Sequence, residues 1–196
     1  MRLPTPSDEM DELLREMHHC VRNNFQIIAS LINLQKRMLP AERRGEMRFV
    51  EEHVQSMAVV YRVSDSRGNL RVPINRLVIE IVDNLRHIAG LTQDAVKVSA
   101  PETEESIEQK YATALALFLA VVLPPYFEQA TAHDGPFQVT VTPGPSGSLT
   151  LAVAEERPTI TLDPLRQRLA TAYLRQLVGT HEQSKSGIIV RFPLEH

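Results

Sequence analysis

Cysteine is almost missing from this chain of 196 residues, and a single one, Cys20, cannot build an internal disulfide framework. No group of cysteines and histidines has zinc-binding spacing, so no structural metal is expected. Long apolar runs are also lacking. None approaches the roughly 20 apolar residues of a bilayer-spanning helix, and the opening MRLPTPSDEMDE lacks the charged-then-apolar order of a secretory signal. These absences point to a cytoplasmic protein without a membrane partner. No excess of one charge exists either. Residues 1–70 carry ten Lys/Arg against ten Asp/Glu, residues 71–196 carry eleven against fourteen, and the formal net charge is -3. Neither half is basic, which argues against a nucleic-acid partner. What is present is a 43% hydrophobic, 23% charged composition, enough for one medium domain or two small ones with real cores. The final Leu194-Glu195-His196 matches the start of an expression-tag scar, and His196 is given no role.

Apolar periodicity organises the N-terminal third. Thr5-Pro6-Ser7-Asp8 predicts a helix start, because proline suits the first helical turn behind a Thr or Ser cap and acids favour the positive end of the helix dipole. Leu14, Met17, Val21, Ile28, Leu31 and Met38 then recur in steps of three and four, which predicts one long helix with a coiled-coil-like core stripe, ending before Pro40. Beyond the charged tip Pro40 to Gly45, Met47, Val50, Val54, Met57 and Tyr61 predict a second helix and an antiparallel hairpin. Flanking apolar residues such as Phe25, Ile27, Ile32 and Leu34 make the stripe too wide for one partner, so self-association into a four-helix bundle, a homodimer, is expected.

Polar Ser64 to Asn69 marks the expected boundary, giving a helical hairpin over 1–66 and an α/β domain over 67–196. The second part predicts a helix over 74–89, a strand at 95–98, an apolar helix over about 105–130, a hairpin of strands 137–141 and 149–153, a helix near 163–178 and a last strand at 188–192. That order predicts helices on one face of a mixed sheet, hence an α+β fold.

On the first helix His19 lies opposite the apolar stripe, in a polar stripe with Glu12, Glu16, Asn23, Gln26 and Ser30. His18 falls beside the core stripe and is expected to be packed. An accessible imidazole can act as a nucleophile or phosphoryl carrier near pH 7. Glu16, one turn back, can orient the ring, and Asn23, one turn on, can hydrogen-bond a phosphoryl group or a water. A solvated histidine on a polar face is the plain alternative.

The stretch from Leu13 to Gln35, LLREMHHCVRNNFQIIASLINLQ, closely resembles the phosphoacceptor helix of type-2, HWE-related bacterial sensor histidine kinases. That family's box reads roughly L-L-x-E-x-x-H-R-V-K-N-N-L-Q-x-I-x-S-L-L-x-L-Q. The resemblance makes His19 the phosphorylated histidine, Asn23 the asparagine four residues on and Arg22 the basic residue before it. Cys20 departs from the pattern, where the family usually has arginine.

In such kinases an ATP-binding α/β sandwich follows the bundle. Here the expected element order resembles a shortened copy, and Ile189 to Leu194 resembles the closing strand. The nucleotide motifs do not. Against the family's N-E-L-x-x-N-A-x-K-H-A, the apolar helix reads AVVLPPYFEQA, with Val121 at the acidic position and Pro125 at the metal-binding asparagine. Where the family has D-x-G-x-G, Ala154 to Thr159 contains no glycine, and no glycine-rich lid precedes Leu162 to Leu169. A competing E-x-x-x-N spacing at Glu80 and Asn84 lies too early in the chain, and Glu80, Asp83 and Arg86 read instead as the wet face of an amphipathic helix.

The resemblance thus implies a histidine phosphotransferase, descended from a kinase, that relays phosphoryl groups between response-regulator receiver domains through His19. No cofactor is expected in this chain, and Mg²⁺ is expected on the partner receiver. Alternatives left open are a response-regulator phosphatase in which Asn23 positions water, a non-catalytic regulator-binding module and, least favoured, an ATP-dependent histidine kinase.

Overall fold

The computed structural model describes residues 6–64, 71–100, 105–130, 137–143, 148–154, 160–184 and 187–193. Helix α1 (Pro6–Met38) turns through a short 3-10 helix (Ala41–Met47) into the antiparallel α2 (Arg48–Val63). The expected capping role of Thr5 and the boundary residues 65–69 lie outside the described residues. The tip's cations are largely engaged: Lys36 binds Glu51 at 2.6 Å, Arg43 binds Glu46 at 2.8 Å and Arg48 binds Glu52 at 3.1 Å.

The stripe expected to be the hairpin core proves to be two stripes. Ala29 and Ile32, with half-buried Val21 and Phe25, face α2, while Met17, Ile28, Leu31 and Met38 stay exposed. A helix advances about 100° per residue, so Phe25, Leu31 and His19 mark three faces roughly 120° apart. One meets α2, one is apolar and uncovered within the chain, and one is polar. Counting steps of three and four merged the first two.

Strand β1 (Arg71–Pro73) leads into α3 (Ile74–Ile88), followed by β2 (Val96–Ser99), β3 (Ser106–Glu108) and α4 (Gln109–Ala130). The hairpin strands β4 (Phe137–Pro143) and β5 (Ser148–Ala154) precede α5 (Pro164–Gln176), β6 (Thr180–Ser184) and β7 (Gly187–Pro193). The five-stranded sheet has the order β2-β4-β5-β7-β6, parallel only between β2 and β4, and β1 pairs with β3 in a separate ribbon. Buried Val96, Val139, Leu151, Ile188, Val190 and Phe192 turn to the helices, whereas Lys97, Gln138 and Arg191 face outward. The architecture is α+β, as the sequence predicts.

Three details differ from the sequence reading. The helix expected from about 105 begins at Gln109, because Ser106–Glu108 is taken up by pairing with Arg71–Pro73. The edge strand β6 is polar and gives no apolar alternation to read. Helix α4 is also long and apolar enough to cross a membrane by length and composition, its Gln109–Glu128 stretch having a mean hydropathy of 1.5, yet 72% of that stretch is buried. A helix apolar all round is one that is covered all round: α2, α3 and α5 pack on it. The core is continuous from Val59, Val60 and Val63 at the end of α2 through Leu77 and Ile81 of α3 to Phe118 and Leu119 of α4.

Candidate functional site

His19 is exposed on the polar face of α1, and the side-chain amide nitrogen of Asn23 lies 3.3 Å from its Nδ1. Amide nitrogen and oxygen exchange places by a simple flip, so Asn23 can donate to a bare Nδ1 or accept from a protonated one. The second arrangement leaves the Nε2 lone pair free and facing water. Glu16 is exposed one turn back and makes no hydrogen bond to the ring, so Asn23 is the ring's partner among the described residues.

Arg22 does something the sequence did not suggest. Its Nε and Nη2 donate to the Tyr61 carbonyl at 3.2 and 2.7 Å. That carbonyl sits in the last turn of α2, where no helix donor follows, and a cation there also complements the helix dipole. Arg22 therefore ties the His19 turn to the end of α2. His18 is half-buried against Tyr61, ring centroids 5.9 Å apart, and Phe25 packs on the same ring at 5.3 Å. Burial, reinforced by the Arg22 charge, holds the His18 imidazole below its ordinary pKa. The two neighbouring histidines thus occupy different environments, one packed and one open.

Beside His19 the two helices leave a cleft of about 260 Å³ lined by Arg22, Gln26, Ser30, Asn33, Gln55, Ala58 and Arg62. Gln55, Ala58 and Arg62 are its α2 wall, while Val59 and Val60 are in the core and Tyr61 faces His18. Arg62 also borders a larger cleft, about 710 Å³, between α3 and β2, with Glu80, Asp83, Asn84 and His87. The charges there are paired: Glu80 holds Arg62 at 2.8 Å and Arg76 at 3.0 Å, and Asp83 holds Arg86.

Solved structures with a similar fold include histidine kinases. The histidine kinase domain of the Erythrobacter litoralis EL346 blue-light activated histidine kinase aligns with a TM-score of 0.60 and 20% identity, covering 95% of each chain. The longer structure of that kinase aligns at 0.63 with 16% identity over 99% of this chain and 62% of its own length. This fold is therefore a histidine kinase domain fold. Within it, residues 16–89 match the HisKA_2 family model, described as histidine kinase, a stretch that runs from Glu16 within α1 through α2 and α3 and contains His19, Arg22 and Asn23. No curated protein matches the chain.

A kinase domain fold implies a nucleotide and its metal, and the residues present do not fit them. On α4 Val121 is wholly buried and position 125 is proline, so neither offers a ligand for metal or phosphate. The glycine-less segment 155–159 lies outside the described residues. Sequence reasoning missed what stands at this place: Arg166 of α5, whose guanidinium reaches the α4 backbone and buried Glu52. Its signals were two consecutive prolines in an apolar helix and an acid on the covered side of α2.

Proposed function

We propose that this chain is a histidine phosphotransferase of a two-component phosphorelay, exchanging phosphoryl groups with response-regulator receiver domains through His19 and using no ATP. The observation that carries this reading is the exposed imidazole with Asn23 on Nδ1, set on the one face of α1 that neither α2 nor the apolar stripe occupies. With Nδ1 protonated and held by the Asn23 oxygen, Nε2 attacks the phosphorus of an aspartyl phosphate. The N–P bond forms as the P–O bond breaks, the aspartate leaves as a carboxylate, and the ring keeps its Nδ1 proton. The reverse step delivers the group to a second receiver. The receiver brings Mg²⁺ and its own acidic pocket; this chain brings a positioned nucleophile. Glu16 lies near enough on the same face to balance the imidazolium that forms, and Arg22 fixes the turn.

The cleft between α1 and α2 and the neighbouring α3 surface form the receiver's docking site in this reading, the uncovered stripe of α1 joins a second copy, and the protein works in the cytoplasm. The misfit of the α4 residues to a nucleotide supports transfer rather than kinase chemistry.

The test is to mix the protein with a radiolabelled, phosphorylated receiver domain. Acid-labile, base-stable label should appear on this chain and vanish in His19→Ala. Free phosphate without protein label, retained in His19→Ala and lost in Asn23→Ala, would replace this reading by a phosphatase. An unchanged receiver across a panel of receivers would reduce the protein to a binding module.

A further inference from the structure

Pro124 and Pro125 have no N–H to offer the carbonyls four residues earlier, so the helix leaves Ala120 and Val121 oxygens without their usual donors. Both residues are fully buried, where an unpaired carbonyl is costly. The missing donor comes from another helix: Arg166 Nη1 lies 3.3 Å from the Ala120 oxygen and 3.0 Å from the Val121 oxygen. Arg166 Nη2 donates to Glu52 at 3.1 Å, Nε lies 3.6 Å from Asp163, and the guanidinium sits 5.1 Å over the Phe49 ring. Glu52, 1% exposed, accepts from Arg48 Nε with its other oxygen at 3.1 Å. One side chain thus joins α2, α4 and α5.

We infer that Arg166 is a positioning residue for phosphotransfer: it locks the α/β layer onto α2 in the orientation that a receiver docked at His19 meets. This rests on the phosphotransferase reading. Val59, Val60 and Val63 attach the layer to the end of α2 through apolar contact, which is non-directional, and the ion pair at that end, Arg62–Glu80, is on the surface. Glu52 lies about two helical turns, roughly 10 Å, before Val59, and an anchor there fixes the direction. Arginine is required because a planar fork can serve two carbonyls and a carboxylate at once, which an ammonium cannot. The same guanidinium stands where the α4 residues fail to fit a nucleotide. The layer is held by its own side chain and needs no ligand to set its position.

The experiment compares Arg166→Gln and Arg166→Lys with the full wild-type chain, using two phosphoryl donors. Phosphoramidate meets only His19, whereas a phosphorylated receiver meets the hairpin and the layer. If the locked orientation falls to about a tenth of the population, the receiver concentration for half-maximal transfer rises about tenfold, with the maximal rate and phosphoramidate labelling within about twofold of wild type. Unchanged half-saturation overturns the proposal, and so does an equal loss with both donors, which marks a merely structural residue. Pro124→Ala/Pro125→Ala returns N–H groups to the two carbonyls. In the Arg166→Gln background it should raise the melting temperature without restoring receiver affinity, and it keeps the test open should Arg166→Gln alone not fold; no rise refutes the carbonyl assignment. If wild-type His19 takes no label from any receiver, the phosphotransfer reading fails separately. Amide exchange over α5 then decides the lock itself: faster exchange in Arg166→Gln supports it, and unchanged exchange overturns it.

Discussion

Removing one leucine from the uncovered face of α1 should separate the protein into single chains. Leu31 is 58% exposed within one chain and stands in a row with Leu13, Met17, Ile28 and Met38, all exposed. Burying a leucine completely is worth about 1.5–3 kcal/mol, so covering the part still in water returns about 1–2 kcal/mol. A two-fold interface uses each residue twice, making the contribution about 2–4 kcal/mol per dimer. Leu31→Ala, which gives up most of that, should weaken the dimer roughly 30- to 1,000-fold. Leu31→Glu should weaken it further by placing a carboxylate in an apolar seam. Sedimentation velocity from about 1 to 100 µM reads this directly: wild type at twice the monomer mass, Leu31→Ala dissociating within the range, and Glu12→Ala on the polar face unchanged. Since Leu31 touches little inside one chain, helical content of the variant should stay at the wild-type level. A wild-type chain that sediments as a monomer at about 100 µM, or a Leu31→Ala dimer as tight as wild type, refutes the reasoning.

Arg22→Ala removes a charged donor from a helix-end carbonyl and should cost about 1.5–3 kcal/mol of stability in urea unfolding, with slower labelling of His19 because its turn is no longer tied to α2. Burial holds His18 and His53 below the ordinary histidine pKa, so their contribution is complete above pH 6.5 and is lost as pH falls through their folded values. Glu52 is raised by burial despite Arg166 and Arg48, and works in the opposite sense, contributing more as pH falls. The urea midpoint should therefore drop between pH 7.5 and 5.5 in wild type and drop less in His53→Gln, whose asparagine-like amide does not titrate; an identical drop counts against the assignment. Val178 has a positive φ of 51°, costly for a β-branched residue, so Val178→Gly should stabilise the fold by about 1 kcal/mol in the same assay. Titration calorimetry with Mg-ATP at millimolar concentration should show no binding heat, and saturable heat would restore the kinase reading.

The hairpin was legible because its signals are local. Proline at the first turn, apolar steps of three and four and a proline after the last turn bound α1 whatever else the chain does. His19 could be placed on the polar side by the same count. What the count could not do was divide a broad apolar arc between the face that meets α2 and the face left uncovered within the chain, because both carry the same residue types. The α3 and α4 helices and the central hairpin were legible for the same reason. The polar β6 was not, since an edge strand owes its existence to β7 pairing beside it: Glu182 faces Ile189 in that register. Gly179 gave no sign of its role, although a Cβ there would meet the Arg191 carbonyl at 3.0 Å.

The site divides along the same line. Asn23 reaches His19 through one helical turn, so sequence spacing contains their meeting. Arg22 reaches Tyr61 across 39 residues and Arg166 reaches Glu52 across 114, and no periodicity links such pairs. They can still be anticipated by asking where buried polar groups find partners. Two prolines in α4 create a demand for donors, and a fully covered glutamate on α2 creates a demand for a cation. A single arginine between those helices answers both. Both demands meet on one side chain, so Arg166 ties α2, α4 and α5 together.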